Sequence, residues 1–220
     1  MSKVNSKRSN CKDVFNAFLV EKAKYQGSYE FPAIMPTYDV PKRLISFSKA
    51  ISSKDTDQWV HFFEDDCMFE RLWRNPKRYI DVLRRFHGVI LPDFSLYRDM
   101  PLVMQLWNIY RSRAIGHWLQ QNGVPVIPCV RYGDYRTYRC CCDGLPKHSV
   151  IAIGTHGTFK NIEDRTILLE GLDVVVDILQ PDAIVVYGSA PAKYFDKYSE
   201  IGVQIIQMSS DYASSHKEVV

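Results

Sequence analysis

Long apolar runs are missing from this 220-residue chain. Its most apolar stretches, VIAIG at 150–154 and AIVVY at 183–187, fall far short of the ~20 residues a membrane-spanning helix needs. The start, MSKVNSKRSNCKDV, lacks the apolar core of a secretory signal, so the expected location is the cytoplasm and no membrane partner is expected. A dominant charge is missing as well. Lys+Arg 28 against Asp+Glu 25 leaves +3, which excludes a wholly electrostatic nucleic-acid or membrane binder. CxxC spacing is absent among the six cysteines, and no GK[ST] follows the glycine-containing loop at 154–158, so neither a zinc knuckle nor a P-loop is spelled out. A zinc set would have to come from Cys129, Cys140, Cys141, Cys142 and His148. Three consecutive cysteines on a strand point to alternate faces and cannot all reach one ion, which argues against zinc and for reduced, packed thiols.

What is present is a globular composition, 46% hydrophobic and 13% aromatic. No linker or repeat divides it, so one domain over 14–210 is expected, between a flexible basic tail (1–13) and a polar C-terminal tail (211–220). Short β-rich runs occur at 31–34, 44–47, 59–63, 88–94, 124–130, 149–154, 182–188 and 202–208. Most are continuously apolar, the habit of parallel strands buried on both faces. Helical patterns lie between several of them. In 101–121, Val103, Trp107, Tyr110, Ala114 and Trp118 form one apolar face, with Pro101 at the start and Asn122-Gly123 as the stop. Asn161 caps a helix over 161–180, Asn75-Pro76 breaks the helical segment 67–86, and Ser189 caps a short helix over 190–199. A hairpin-like insert is expected at 135–142, and the first two strands lack convincing crossover helices. The fold class is therefore α/β with a mostly parallel sheet: a compact or imperfect (β/α)₈-like barrel, or else an open doubly wound sheet.

Both topologies put ligands at the carboxyl ends of the strands. Acids and arginines gather there. Asp66 and Asp93 follow neighbouring strands and can divide into acid and base, or hold Mg²⁺ or Mn²⁺ through hard oxygen ligands; Asp134 is a third candidate catalytic carboxylate. Arg98 and Arg131 can clamp a phosphate or carboxylate, with Tyr97 and Tyr187 beside them. Gly154 and Gly157, in GTHGT before a helix, allow backbone N–H groups to approach an anion, although an ordinary strand–helix turn needs two such glycines too, and His156 is read as a loop histidine. The plainer alternative is structural: Asp66 and Asp99 cap helices, and Arg98 and Arg131 pair with them. A second surface is basic. Arg71, Arg74, Arg78 and Arg85 interleave with Trp73, Tyr79 and Phe86, either as a nucleic-acid face or as the solvated side of a helix that turns Leu72, Ile80 and Leu83 inward.

One stretch is distinctive beyond its chemistry. Phe63/Asp65/Asp66, the run Asp93-Phe94-Ser95 with Tyr97-Arg98-Asp99-Met100-Pro101, Val126-Ile127-Pro128, Gly133-Asp134, Asp143-Gly144-Leu145-Pro146 and Ser149-Val150-Ile151-Ala152 together resemble the bacterial and phage proteins grouped as domain-of-unknown-function family 4417. The resemblance spans about 31–208. It implies a phage or mobile-element association and supplies no activity. It also implies that the Cys140–Cys142 triplet stands where the family carries an aromatic in a strand, which fits packing.

The residues thus support an enzyme with a polar strand-end pocket, acting on a nucleotide, sugar phosphate or nucleic acid by metal-assisted hydrolysis or transfer. They equally allow a non-catalytic protein that binds nucleic acid, or a host or phage protein, through the basic face. In a third reading the DFSLYRDMP region is structural.

Overall fold

The computed structural model describes residues 13–209; the rest of the basic tail and the 211–220 tail lie outside the described residues. The chain first forms a short antiparallel pair, β1 (Tyr25–Gln26) and β2 (Phe31–Pro32). Four parallel strands then pair in chain order: β3 (Leu44–Ser46), β4 (Trp59–His61), β5 (Gly88–Ile90) and β6 (Val126–Ile127). A second parallel sheet follows, again in chain order: β7 (Val150–Gly154), β8 (Ala183–Tyr187) and β9 (Gln204–Met208). One isolated parallel bridge, Cys129 to Ala152, joins the two sheets. The continuous apolar runs behave as expected: β4, β5 and β8 are buried at every position.

The helices are α1 (Phe47–Ala50), α2 (Asp66–Arg74), α3 (Ile80–Leu83), α4 (Leu102–Gln121), α5 (Ile162–Leu179) and α6 (Ala192–Glu200). No helix among the described residues is long and apolar enough to cross a membrane. The protein is α/β with parallel sheets whose strand order is the chain order. No closed sheet forms among the described residues, and the strand-order reversal of a doubly wound sheet is absent as well.

Several expectations change. The run at 31–34 is not a parallel strand. Pro32 and Pro36 remove N–H donors that a ladder would need, and the segment instead crosses the seam between the two sheets. There the Thr37 hydroxyl donates to the Val126 carbonyl at 2.5 Å, and the Thr37 carbonyl accepts from the Val150 N–H at 2.9 Å. The insert after Asp134 is not a hairpin, and the cysteine triplet is not on a strand. Cys140–Cys142 form a 3₁₀ turn, all three buried, whose backbone carries the fully buried Arg113: its guanidinium donates to the Cys141 carbonyl at 2.7 Å and to the Cys129 carbonyl at 3.4 Å. Pro191, not Ser189, precedes α6.

The largest correction concerns α4. Val103 and Trp107 are exposed, while Gln105, Asn108 and Ser112 face inward. The reason is the polypeptide beneath them. The loop after β5 presents buried carbonyls, which must be satisfied. Ser112 Oγ donates to Pro92 O at 2.9 Å, Asn108 Nδ2 to Ser95 O at 2.7 Å, and Gln105 Nε2 to Tyr97 O at 3.1 Å and Met100 O at 3.2 Å. Three polar side chains spaced along one helix face thus fasten the loop that carries the candidate residues. Below them Arg111 bonds Glu70 at 2.7 Å and lies 3.9 Å above the Phe94 ring, which locks α4 to α2.

Candidate functional site

The carboxyl ends of β5, β6 and β7 meet around one ion pair. Asp93, just beyond β5, has a side chain only 11% exposed, and Arg131, beyond β6, reaches it with Nη1 3.2 Å from Oδ2. The Cys129 thiol donates to the other oxygen at 3.5 Å. Burial pushes the Asp93 carboxyl above its ordinary range; Arg131 and the Cys129 hydrogen bond oppose this, and the nearby Asp66 charge adds to it. The Arg131 guanidinium is held more firmly charged by Asp93, whereas burial pushes the Cys129 thiol up, so that it is an unreactive donor here. Gly154, at the end of β7, permits this convergence: a Cβ there would lie 3.0 Å from the Phe63 ring and 3.6 Å from Asp93 Oδ2.

Asp66 does come near Asp93, as the strand order suggested, but its carboxylate is committed. It opens α2, preceded by Asp65 at the cap position, and accepts from the Ser95 N–H at 3.2 Å and the Ser95 hydroxyl at 3.0 Å. It ties α2 to the loop after β5.

Arg98 pairs with neither Asp66 nor Asp99. It crosses to the first turn of α5, where it pairs with Glu163 and, at 3.1 Å, with Asp164. That turn is built as its sequence suggested: Asn161 Oδ1 accepts from the Glu163 N–H at 2.9 Å, a cap worth about 1 kcal/mol. Asp134 serves as a brace. Arg136 donates to both of its oxygens, at 2.9 Å from Nε and 2.7 Å from Nη2, which holds the Asp134 carboxyl below its usual range. The same guanidinium then donates to Arg98 O at 2.8 Å and Met100 O at 3.5 Å. Together with Gln105, it clamps the backbone of the loop that carries Tyr97, Arg98 and Asp99.

That loop forms one wall of a cavity of about 1000 Å³. The other walls are Arg131–Gly133, Gly154, His156–Thr158 and the start of α5 with Glu163 and Asp164. Tyr132 closes the floor. Its hydroxyl donates to Leu168 O at 2.6 Å, and its ring lies so close to Gly171 that a Cβ there would meet it at 2.3 Å. Of the predicted residues, Tyr97, Arg98, Arg131, Gly154 and Gly157 line the cavity; Asp66, Asp93, Asp134 and Tyr187 do not. Asp93 sits one layer behind Arg131 and Gly154. Tyr187 is buried in the core, stacked on Phe63 with centroids 4.7 Å apart and 4.6 Å from the His61 ring.

The 154–158 turn offers less to an anion than its glycines suggested. The Thr155 N–H donates to Tyr187 O, Thr158 N–H to Thr155 O and Lys160 N–H to Gly157 O. Gly157 is there for its backbone, at φ 76°. Residues that the sequence left unassigned to the site include Asp99, Glu163 and Asp164 in the cavity wall and Arg136 behind it. Only the Asp134-x-Arg136 spacing hinted at the brace.

On the second surface, Arg71, Arg74, Arg78 and Arg85 are exposed while Leu72, Ile80 and Leu83 turn inward, as a solvated face requires. Trp73, Tyr79 and Phe86 are buried with them. Arg71 lies 5.3 Å over the Phe47 ring, and Arg85 donates to Ala50 O at 3.4 Å. No group of three or more metal-ligating side chains gathers among the described residues.

A family model described as Domain of unknown function (DUF4417) matches residues 23–208. The Gene 1 protein of Mycobacterium phage L5 is 35% identical over 166 residues, which cover 74% of this chain and 72% of that protein. The Gene 1 protein of Mycobacterium phage D29 is 33% identical over 169 residues, covering 74% of this chain but only 61% of that protein, so the chain spans about three-fifths of that relative. No solved structure matches.

Proposed function

The chain belongs to the DUF4417 family, whose relatives here are phage proteins, and from that premise we propose that it binds a small phosphorylated ligand in the strand-end cavity and acts on it as a hydrolase or transferase. The observation that carries this reading is the Asp93–Arg131 pair at the mouth of three parallel strands. Arg131 is 37% exposed on the cavity side and is oriented from behind by a buried carboxylate, the arrangement that presents a guanidinium to an anion. Asp93, its carboxyl raised by burial above the ordinary range, is the candidate proton carrier of the site.

The cavity is lined by both signs: Arg98 and Arg131 against Asp99, Glu163 and Asp164. Such a lining is no sink for simple anions. It suits a ligand with an acidic end for Arg131 and hydroxyl donors for the carboxylates, as a sugar phosphate or nucleotide has. A Mg²⁺ or Mn²⁺ ion in this reading would arrive on phosphate oxygens; Asp66 and Asp93, engaged with Ser95 and Arg131 and set back from the cavity lining, would help hold it only on giving up those partners. We also read the sequential strand order as that of an incompletely closed barrel, in which this cavity takes the usual ligand position.

The test is calorimetric titration with ribose 5-phosphate and nucleoside 5′-monophosphates, with and without Mg²⁺, on wild type and Arg131→Gln. Wild type binds, and the variant loses about tenfold or more in affinity, the scale of one charge-assisted contact. No binding by wild type overturns the reading.

One observation favours a second reading, a nucleic-acid or host-protein contact on the basic face: Arg71, Arg74, Arg78 and Arg85 are all exposed on the α2–α3 side. The inward aromatics weigh against base stacking there.

A further inference from the structure

Tyr97 poses a question of packing. It is a large aromatic, 56% exposed, on a loop whose backbone is held with unusual care. Gln105 takes its carbonyl at 3.1 Å and that of Met100 at 3.2 Å, while Arg136, itself gripped by Asp134, takes the Arg98 carbonyl at 2.8 Å. Gln105 is fully buried, and Asp134 is 14% exposed, so the clamps belong to the fixed frame. A loop fixed in this way holds its side chains where the frame puts them. Here three side chains from two separate elements immobilise it with the ring partly in water, at the wall of the cavity.

The position of the ring supplies the explanation. Tyr97 and Arg131 line the same cavity, and the carboxylates of Asp99, Glu163 and Asp164 line it with them. A planar ring face, a guanidinium and hydroxyl acceptors are the three contacts that a base, a phosphate and a ribose require. A cavity of about 1000 Å³ is also far larger than a phosphate alone would fill.

Resting on the phosphorylated-ligand reading above, we infer that the ligand is a nucleotide unit, free or at a strand end, whose base stacks on Tyr97 while its phosphate meets Arg131. Asp134, Arg136 and Gln105 are then positioning residues, which hold the platform at the distance a base needs. With the loop backbone already fixed, only the side-chain torsions of Tyr97 are left to order on binding, and stacking tolerates any base.

The experiment compares the affinity of wild type for AMP, CMP, a 5′-phosphorylated trinucleotide and ribose 5-phosphate, and repeats it on Tyr97→Ala and Tyr97→Phe. Wild type prefers AMP to ribose 5-phosphate by about tenfold. Tyr97→Ala collapses that ratio toward one, and Tyr97→Phe restores it, since stacking needs the ring and not its hydroxyl. Asp134→Asn lowers the same ratio without touching the ligand, whereas a residue that only supports stability would lower both affinities together. A trinucleotide bound more tightly than AMP assigns the strand end; equal affinity assigns the free nucleotide. Wild type that binds ribose 5-phosphate as well as AMP overturns the inference while leaving the phosphorylated-ligand reading in place, and it does so without any variant having to fold. Wild type that binds neither overturns both.

Discussion

The arginines of the strand-end cavity and those of the α2–α3 face differ in what answers their charge. Arg131 meets Asp93 and Arg98 meets Glu163 and Asp164, partners brought in from other strands or helices. Arg71 and Arg85 meet a ring face and a main-chain carbonyl, and their heads stay in water. The first set is oriented by tertiary structure; the second lies along a helix surface and is screened by salt. Density of positive charge along the chain is highest in the second set, yet the geometry that could select a ligand belongs to the first.

Stability gives the sharpest test of that contrast. Arg131→Leu strands the Asp93 carboxylate. Losing one partner of a buried pair costs several kcal/mol, reduced here because Arg131 is partly exposed and Asp93 can escape by taking a proton, so about 2 kcal/mol is expected at neutral pH. Arg78→Leu, on the solvated face, should stay within about 0.5 kcal/mol of wild type. Urea unfolding of both variants measures the difference; equal losses would erase the comparison.

A smaller effect concerns pH. The Asp93 carboxyl is raised in the folded protein, so its contribution is fully present below the ordinary aspartate value of 3.8 and is lost as pH rises through its folded value. Asp134, lowered by Arg136, works in the opposite direction: its contribution is present above 3.8 and is lost as pH falls. Asp93→Asn should therefore flatten the decline in stability as pH rises above about 4. Asp143, also raised by burial, keeps part of that decline in place. Urea midpoints measured across that range decide it, and an unchanged profile would show that Asp93 stays ionised throughout.

The smallest effect is expected from neutralising Arg71, Arg78 and Arg85 together. Stability should move little beyond the loss of the Arg71 ring contact, and nucleotide affinity in the cavity should not change. A gel shift at low salt that wild type gives and this variant loses would transfer the functional role to the basic face.

The parallel strands from 44 onward and the main helices were legible because they rest on local signals: continuous apolar runs, Asn75-Pro76, Asn122-Gly123 and the Asn161 cap; how the strands line up side by side was not, since that depends on contacts distant in the chain. Asp93 and Arg131 were legible as strand-end residues. Their pairing was not, because it depends on which strands lie side by side. The inner face of α4 was misjudged for a related reason. Gln105, Asn108 and Ser112 read as the polar side of an amphipathic helix, yet a buried loop with unsatisfied carbonyls needs donors more than the core needs Val103 or Trp107. Tyr187 was misplaced because an aromatic at the end of a strand points into the core or into the pocket according to a register that the run AIVVY does not reveal.

The seam closed by Thr37 has a consequence in time. Along both sheets each strand pairs with the one made just before it in that sheet, so a chain leaving the ribosome can add them singly, one crossover at a time. Thr37 breaks that sequence. Its partners, the carbonyl of Val126 and the N–H of Val150, are synthesised long after it. This part of the described chain must therefore wait for strands of both sheets, and the junction between the sheets stays unbuttressed until the nascent chain has passed residue 150.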